Sequence, residues 1–89
     1  MINRLKSKTG GTILKVTVKL DCIAAVKNFN AIVNSFETNM DLLSENYRVD
    51  AKSIMAVFSL DLSKPLTLEI HGQDSSNIIE ALTDFIVEK

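Results

Sequence analysis

Between residues 12 and 36 the hydrophobic period changes once, and that change restricts the fold more than any other feature of the chain. Leu14, Val16, Val18 and Leu20 alternate with Lys15, Thr17 and Lys19, the period-two signature of a strand with one buried face. From Ile23 the spacing lengthens. Ile23, Val26, Phe29, Ile32, Val33 and Phe36 recur every three or four residues, which predicts a helix capped by Asp21 with that stripe turned to the core. Lys27, Asn28, Asn30 and Asn34 lie mostly between these positions and face water, and Glu37 to Asn39 closes the helix.

The remainder repeats both periods. Met40, Leu42 and Leu43 predict a second strand, and Tyr47, Val49 and Ala51, alternating with Arg48 and Asp50, a third. Ser44-Glu45-Asn46 is too short to return the chain in parallel, so these two strands form an antiparallel hairpin. Lys52 to Leu60 reads as a short helix with Ser53 near its start, and Asp61 to Lys64 with Pro65 forms its exit. Leu66, Leu68 and Ile70 mark a fourth strand, broken by Gly72. Asp74 or Ser75 caps a last helix whose stripe is Ile78, Ile79, Leu82, Phe85 and Ile86. The order βαββαβα leaves chain for one sheet only. The expected α/β (α+β) fold is an open-faced sandwich, a four-stranded antiparallel sheet with three helices on one face.

At 89 residues and 46% hydrophobic content the chain suffices for one domain, expected over 12–89 behind a basic lead-in at 1–11 that carries Arg4, Lys6 and Lys8 and ends in Gly10-Gly11. Ten Lys and Arg against eleven Asp and Glu lack the positive excess that phosphate-backbone binding needs, which argues against direct nucleic-acid binding. No signal-like segment or spanning apolar run is present, so no membrane partner and a cytoplasmic setting are expected. One Cys and one His exclude an internal disulfide and cannot supply the Cys/His set of a structural zinc site.

Catalytic templates fail on inventory. His71, at a strand end, has no nearby Ser or Cys in sequence to activate and reads as a partly exposed strand residue. Neither Gly10-Gly11 nor Gly72 belongs to a phosphate-binding loop, and no cofactor or resident metal is expected. Asp41 with Glu45, and Asp61 with Glu69, read as surface charge without convergence. Two residues stand out. Cys22, placed at the first helical position, is either an inert small hydrophobe or a thiol activated by the helix N-terminus. Ser53, at another helix start, either caps or receives a phosphate. Ile54, Met55, Val57, Phe58 and Leu60 supply more apolar surface than one buried face requires, so part of it either completes the core or forms a docking surface for a partner.

The stretch Lys52-Ser53-Ile54-Met55-Ala56-Val57-Phe58-Ser59-Leu60 resembles Lys-Ser-Ile-Met-Gly-Val-Met-Ser-Leu of HPr, the histidine phosphocarrier of the sugar phosphotransferase system. The order of elements is similar to the HPr fold over about residues 12 to 88. The resemblance implies that Ser53 corresponds to the serine phosphorylated by a dedicated kinase in HPr proteins of Gram-positive type. It also implies that Ile54 and Met55 correspond to the apolar pair that helps engage that kinase and a catabolite-control transcription regulator.

The start of the first helix departs from the family pattern. HPr accepts phosphate on the histidine of His-Ala-Arg-Pro-Ala, whereas this chain reads Asp21-Cys22-Ile23-Ala24-Ala25-Val26. Counting back from Ser53 puts Cys22 at the histidine, and anchoring the first strand puts Ile23 there. Neither register supplies an imidazole, and the arginine and proline are missing as well. The expected protein is therefore no histidine phosphocarrier and no enzyme. It is a regulatory module similar to the catabolite-repression HPr paralogues, possessing a Ser53 switch and an Ile54, Met55, Phe58 docking face. The alternatives are phosphoryl transfer through Cys22 and an unphosphorylated interaction scaffold.

Overall fold

Each change of period marks an element in the computed structural model, which describes residues 13–72 and 74–87. In chain order these are β1 (Ile13–Val18), α1 (Ile23–Asn34), β2 (Asn39–Leu43), β3 (Arg48–Asp50), α2 (Ile54–Phe58), β4 (Leu66–His71) and α3 (Ser75–Ala81). The expected lead-in, with Gly10-Gly11, lies outside the described residues. The strands form one sheet in the order β1-β4-β2-β3, every neighbouring pair antiparallel. The chain's last strand thus fills the gap between its first and second, and the Ser44–Asn46 turn closes the β2–β3 hairpin as expected.

Register explains both faces of the sheet. Val16 pairs with Leu68, Leu68 with Leu42, and Leu42 with Val49, forming an apolar row across all four strands. The adjacent row, on the opposite face because side chains alternate, is Lys15, Glu69, Asp41 and Asp50. The three helices cover the apolar side and leave the charged side open. Val26, Phe29 and Val33 of α1, Val57 of α2, and Ile78 of α3 are fully buried on the sheet with Met40, Leu42, Leu66, Leu68 and Ile70. The Phe29 ring meets Phe85 edge-on, with centroids 6.0 Å apart. A buried aromatic of this size contributes roughly 1.5–3 kcal/mol of transfer free energy.

Local expectations shift by a residue or two at the element ends. Cys22, not Asp21, is the N-cap of α1; its backbone is extended and its side chain makes no capping bond. Ile23, placed in the core stripe by periodicity, is 65% exposed at the first position of α1. Leu14 is also only partly covered, since β1 is an edge strand. α1 ends at Asn34, leaving Phe36 to pack on the core from outside the helix. α2 is five residues long, shorter than the 52–60 pattern suggests. α3 stops at Ala81, and the last part of its stripe takes another path: Ile86 bridges Val18, Lys19 N–H donates to the Phe85 carbonyl, and Val87 N–H donates to that of Thr17. These bonds cover the C-terminal end of the β1 edge.

Candidate functional site

Ser53 owes its place to the turn before α2. The Lys52 N–H donates to Asp50 Oδ1 at 2.9 Å and the Ser53 N–H to the Asp50 carbonyl at 3.0 Å, closing a tight Asp-led turn at the end of β3. From α1, the side-chain amides of Asn30 and Asn34 both donate to the Lys52 carbonyl, at 3.0 and 3.1 Å. Lys52 Nζ donates to the Phe36 carbonyl at 2.6 Å. Two asparagines that the helical pattern assigns to the wet side of α1 therefore bind the backbone residue immediately before Ser53.

Ser53 is exposed, with extended backbone at the N-cap of α2, and its hydroxyl makes no capping bond. Beyond it the short helix has two unlike sides. Val57 is sealed in the core and Ile54 half-buried, whereas Met55 is 76% and Phe58 36% exposed. An exposed serine, a methionine and an aromatic edge thus share one solvent-facing surface. Ile54 joins it only in part because it also packs on the core.

Cys22 is exposed at the N-terminus of α1, one residue before the first helical position expected for it. No cation stands among Ile23, Ala24, Ala25 and Val26 of the following turn, so the local sequence offers no charge to hold a transferred phosphate. Among the described residues, no helix is long and apolar enough to cross a membrane.

The carboxylates pair differently from the sequence expectation. Asp61 accepts from the Ser63 hydroxyl at 2.6 Å and the Ser63 N–H at 3.1 Å, and these bonds hold its carboxyl below the usual range. Glu45 lies 3.8 Å from Lys64. Glu69, expected on an exposed strand position, is only 4% exposed, and it converges with Asp41 rather than Asp61. Arg48 binds both oxygens of Glu69, at 2.7 and 3.3 Å, and reaches Asp41 Oδ2 at 2.9 Å. Those bonds press the Glu69 carboxyl down against the opposing effect of desolvation, and raise the Arg48 guanidinium in turn. Sequence distance hides this cluster: residues 41, 48 and 69 meet only through cross-strand register.

A family model described as the PTS HPr component phosphorylation site matches residues 15–88. With the open-faced sandwich, that match defines the class: the chain belongs to the HPr family of phosphocarrier proteins. Among solved structures it is similar to HPr-C-His from Thermoanaerobacter tengcongensis, at 26% identity and TM-score 0.67, covering 82% of this chain and 88% of that one. It shares its fold with the phosphocarrier HPr of Bacillus anthracis, at 21% identity and TM-score 0.70 over 86% and 100% of the two chains. The same holds for Crh, the catabolite repression protein of Bacillus subtilis described as a swapped dimer, at 22% identity and TM-score 0.57 over 98% and 100%. No match was found among curated protein sequences. The chain's sole histidine, His71, ends β4 and does not open α1.

Proposed function

We propose that this HPr-family protein is a regulatory module without histidine phosphocarrier activity. It is phosphorylated on Ser53 in the cytoplasm, and it engages an HPr kinase and a catabolite-control transcription regulator through Ile54, Met55 and Phe58. The observation that carries this reading is the exposed Ser53, its hydroxyl not spent on capping, beside a methionine that is 76% exposed. A phosphoserine adds about −1.5 to −2 charge and strong acceptor oxygens, enough to recruit a partner's Arg or Lys without refolding the domain. The apolar side chains next to it supply desolvated contact area, and methionine adapts to more than one partner surface.

Incubation with HPr kinase and ATP, followed by mass mapping, is expected to place one phosphate on Ser53 and none on a Ser53→Ala variant. Absence of phosphate on the unaltered protein would reject the switch. Equal partner binding by Ser53→Ala and by kinase-treated protein would leave the surface as a scaffold alone. The exposure of Cys22 favours a direct check of the second reading: phosphoenolpyruvate and the first enzyme of the phosphotransferase system would label the protein, and Cys22→Ser would abolish the label, only if the thiol were the acceptor.

A further inference from the structure

The methionines of the chain are Met1, Met40 and Met55, and the two that lie within the described residues have opposite surroundings. Met40, on β2, is 1% exposed among the core side chains, whereas Met55, on α2, is 76% exposed. A thioether is oxidised where a peroxide reaches its sulfur. The fold thus shields one methionine and presents the other. Met55 stands two residues after Ser53, and of the apolar residues Ile54, Met55 and Phe58 assigned to docking it is the one with redox chemistry.

What holds α2 in place does not involve that sulfur. Val57 is buried, Ile54 packs partly on the core, and the start of the helix is fixed by the Asp50 turn and by the Asn30 and Asn34 amides on Lys52. Oxygen added to Met55 therefore changes the surface and leaves the fold alone. In the step itself a lone pair of the thioether sulfur attacks one oxygen of hydrogen peroxide, the S–O bond forms as the O–O bond breaks, and water leaves. The sulfur is oxidised by two electrons and the peroxide is reduced by two. The product is a polar sulfoxide with a strong acceptor oxygen, and burying that oxygen against an apolar partner surface leaves it unpaired.

We propose that Met55 is a reversible oxidation site, and that its sulfoxide switches off the docking face beside Ser53 while the domain stays folded. The inference rests on the docking reading and adds to it a second, redox control of the same surface. Met40 cannot serve in this way, because its sulfur becomes accessible only when the core opens.

Limited treatment of the full-length chain with hydrogen peroxide, stopped with catalase and mapped by mass, tests this. One oxygen is expected on the peptide that carries Met55 well before any on the peptide that carries Met40, with the urea midpoint unmoved. The oxidised protein should be phosphorylated on Ser53 by HPr kinase roughly tenfold more slowly at subsaturating concentration, and methionine sulfoxide reductases of both epimer classes with a dithiol should restore the rate. Each variant is compared with its own untreated sample: peroxide should leave the rate of Met55→Leu unchanged and slow Cys22→Ser as it slows the unaltered protein, since Cys22 is the other exposed sulfur. Oxidation of Met40 as fast as Met55, unfolding on oxidation, or an equal loss of rate in Met55→Leu would overturn the proposal. An untreated chain that the kinase ignores sinks the docking reading and this switch with it, whereas a good substrate indifferent to oxidation of Met55 sinks the switch alone.

Discussion

Cys22 and Ser53 occupy matching places, each an exposed N-cap with extended backbone and no side-chain capping bond, but the helices behind them are held differently. α1 is twelve residues long and rooted by the buried Val26, Phe29 and Val33; α2 is five residues long, with Val57 its one buried residue and Ile54 packed partly on the core. A helix of five residues cannot sustain itself in water. Its start is held instead by the Asp50 turn and by the amides of Asn30 and Asn34 on Lys52. Cys22 therefore stands where the core puts α1, whereas Ser53 stands where polar bonds from α1 and β3 put it.

The largest effect that could break this contrast is on the common foundation. Phe29→Ala removes a fully buried ring that also meets Phe85, and is expected to cost about 3–5 kcal/mol. Urea unfolding followed by circular dichroism would read it. Because α2 borrows its position from α1, the regions around Cys22 and Ser53 should lose order together; survival of one without the other would refute the dependence.

A smaller and more selective change separates them. Replacing Asn30 and Asn34 together by Ala leaves the Lys52 carbonyl without its two amide donors, at an expected cost of about 1–3 kcal/mol. Amide hydrogen exchange should quicken at residues 51–58 and change little at 26–33. The same double variant should be a poorer kinase substrate if Ser53 phosphorylation depends on that fixed turn. At the surface the division is sharper still. Met55→Ala should alter stability by no more than about 0.5 kcal/mol, since the side chain is 76% exposed, yet weaken a partner that docks there by about 1 kcal/mol or more. Unchanged partner affinity would remove Met55 from the docking face.

How much of this was legible beforehand depends on the distance over which the information is carried. The strand and helix periods are local, so β1, α1, the β2–β3 hairpin and β4 follow from spacing, and the Ser53–Met55 surface follows from the Lys52–Leu60 stretch. Ile23 fits the same period and is still exposed, because periodicity assigns a residue to a face but does not say where along the helix the packing begins. Asn30 and Asn34 read as solvated helix positions; their bonds to Lys52 depend on where the chain returns. Glu69 is the clearest miss. Its neighbours Lys15, Asp41 and Arg48 come from three other strands, and only the insertion of β4 between β1 and β2 brings them together.

The smallest expected effect concerns the other end of α2. If the start of this helix is fixed by a polar turn, its exit is fixed the same way, by Asp61 accepting from the Ser63 hydroxyl and amide. These bonds favour the ionised carboxyl and lower its folded value. The stability they contribute is therefore complete above the unfolded carboxylate value of about 3.9 and is lost as pH falls through the folded value. Ser63→Ala removes the stronger of the two donors, so its folded carboxyl should move back toward the ordinary range. The variant should be slightly less stable than the unaltered protein near pH 6, and the difference should shrink toward pH 2 as acid protonates the carboxyl. Urea midpoints at the two pH values decide the matter: a difference of the same size at both would show that the hydroxyl acts through packing and not through the charge on Asp61.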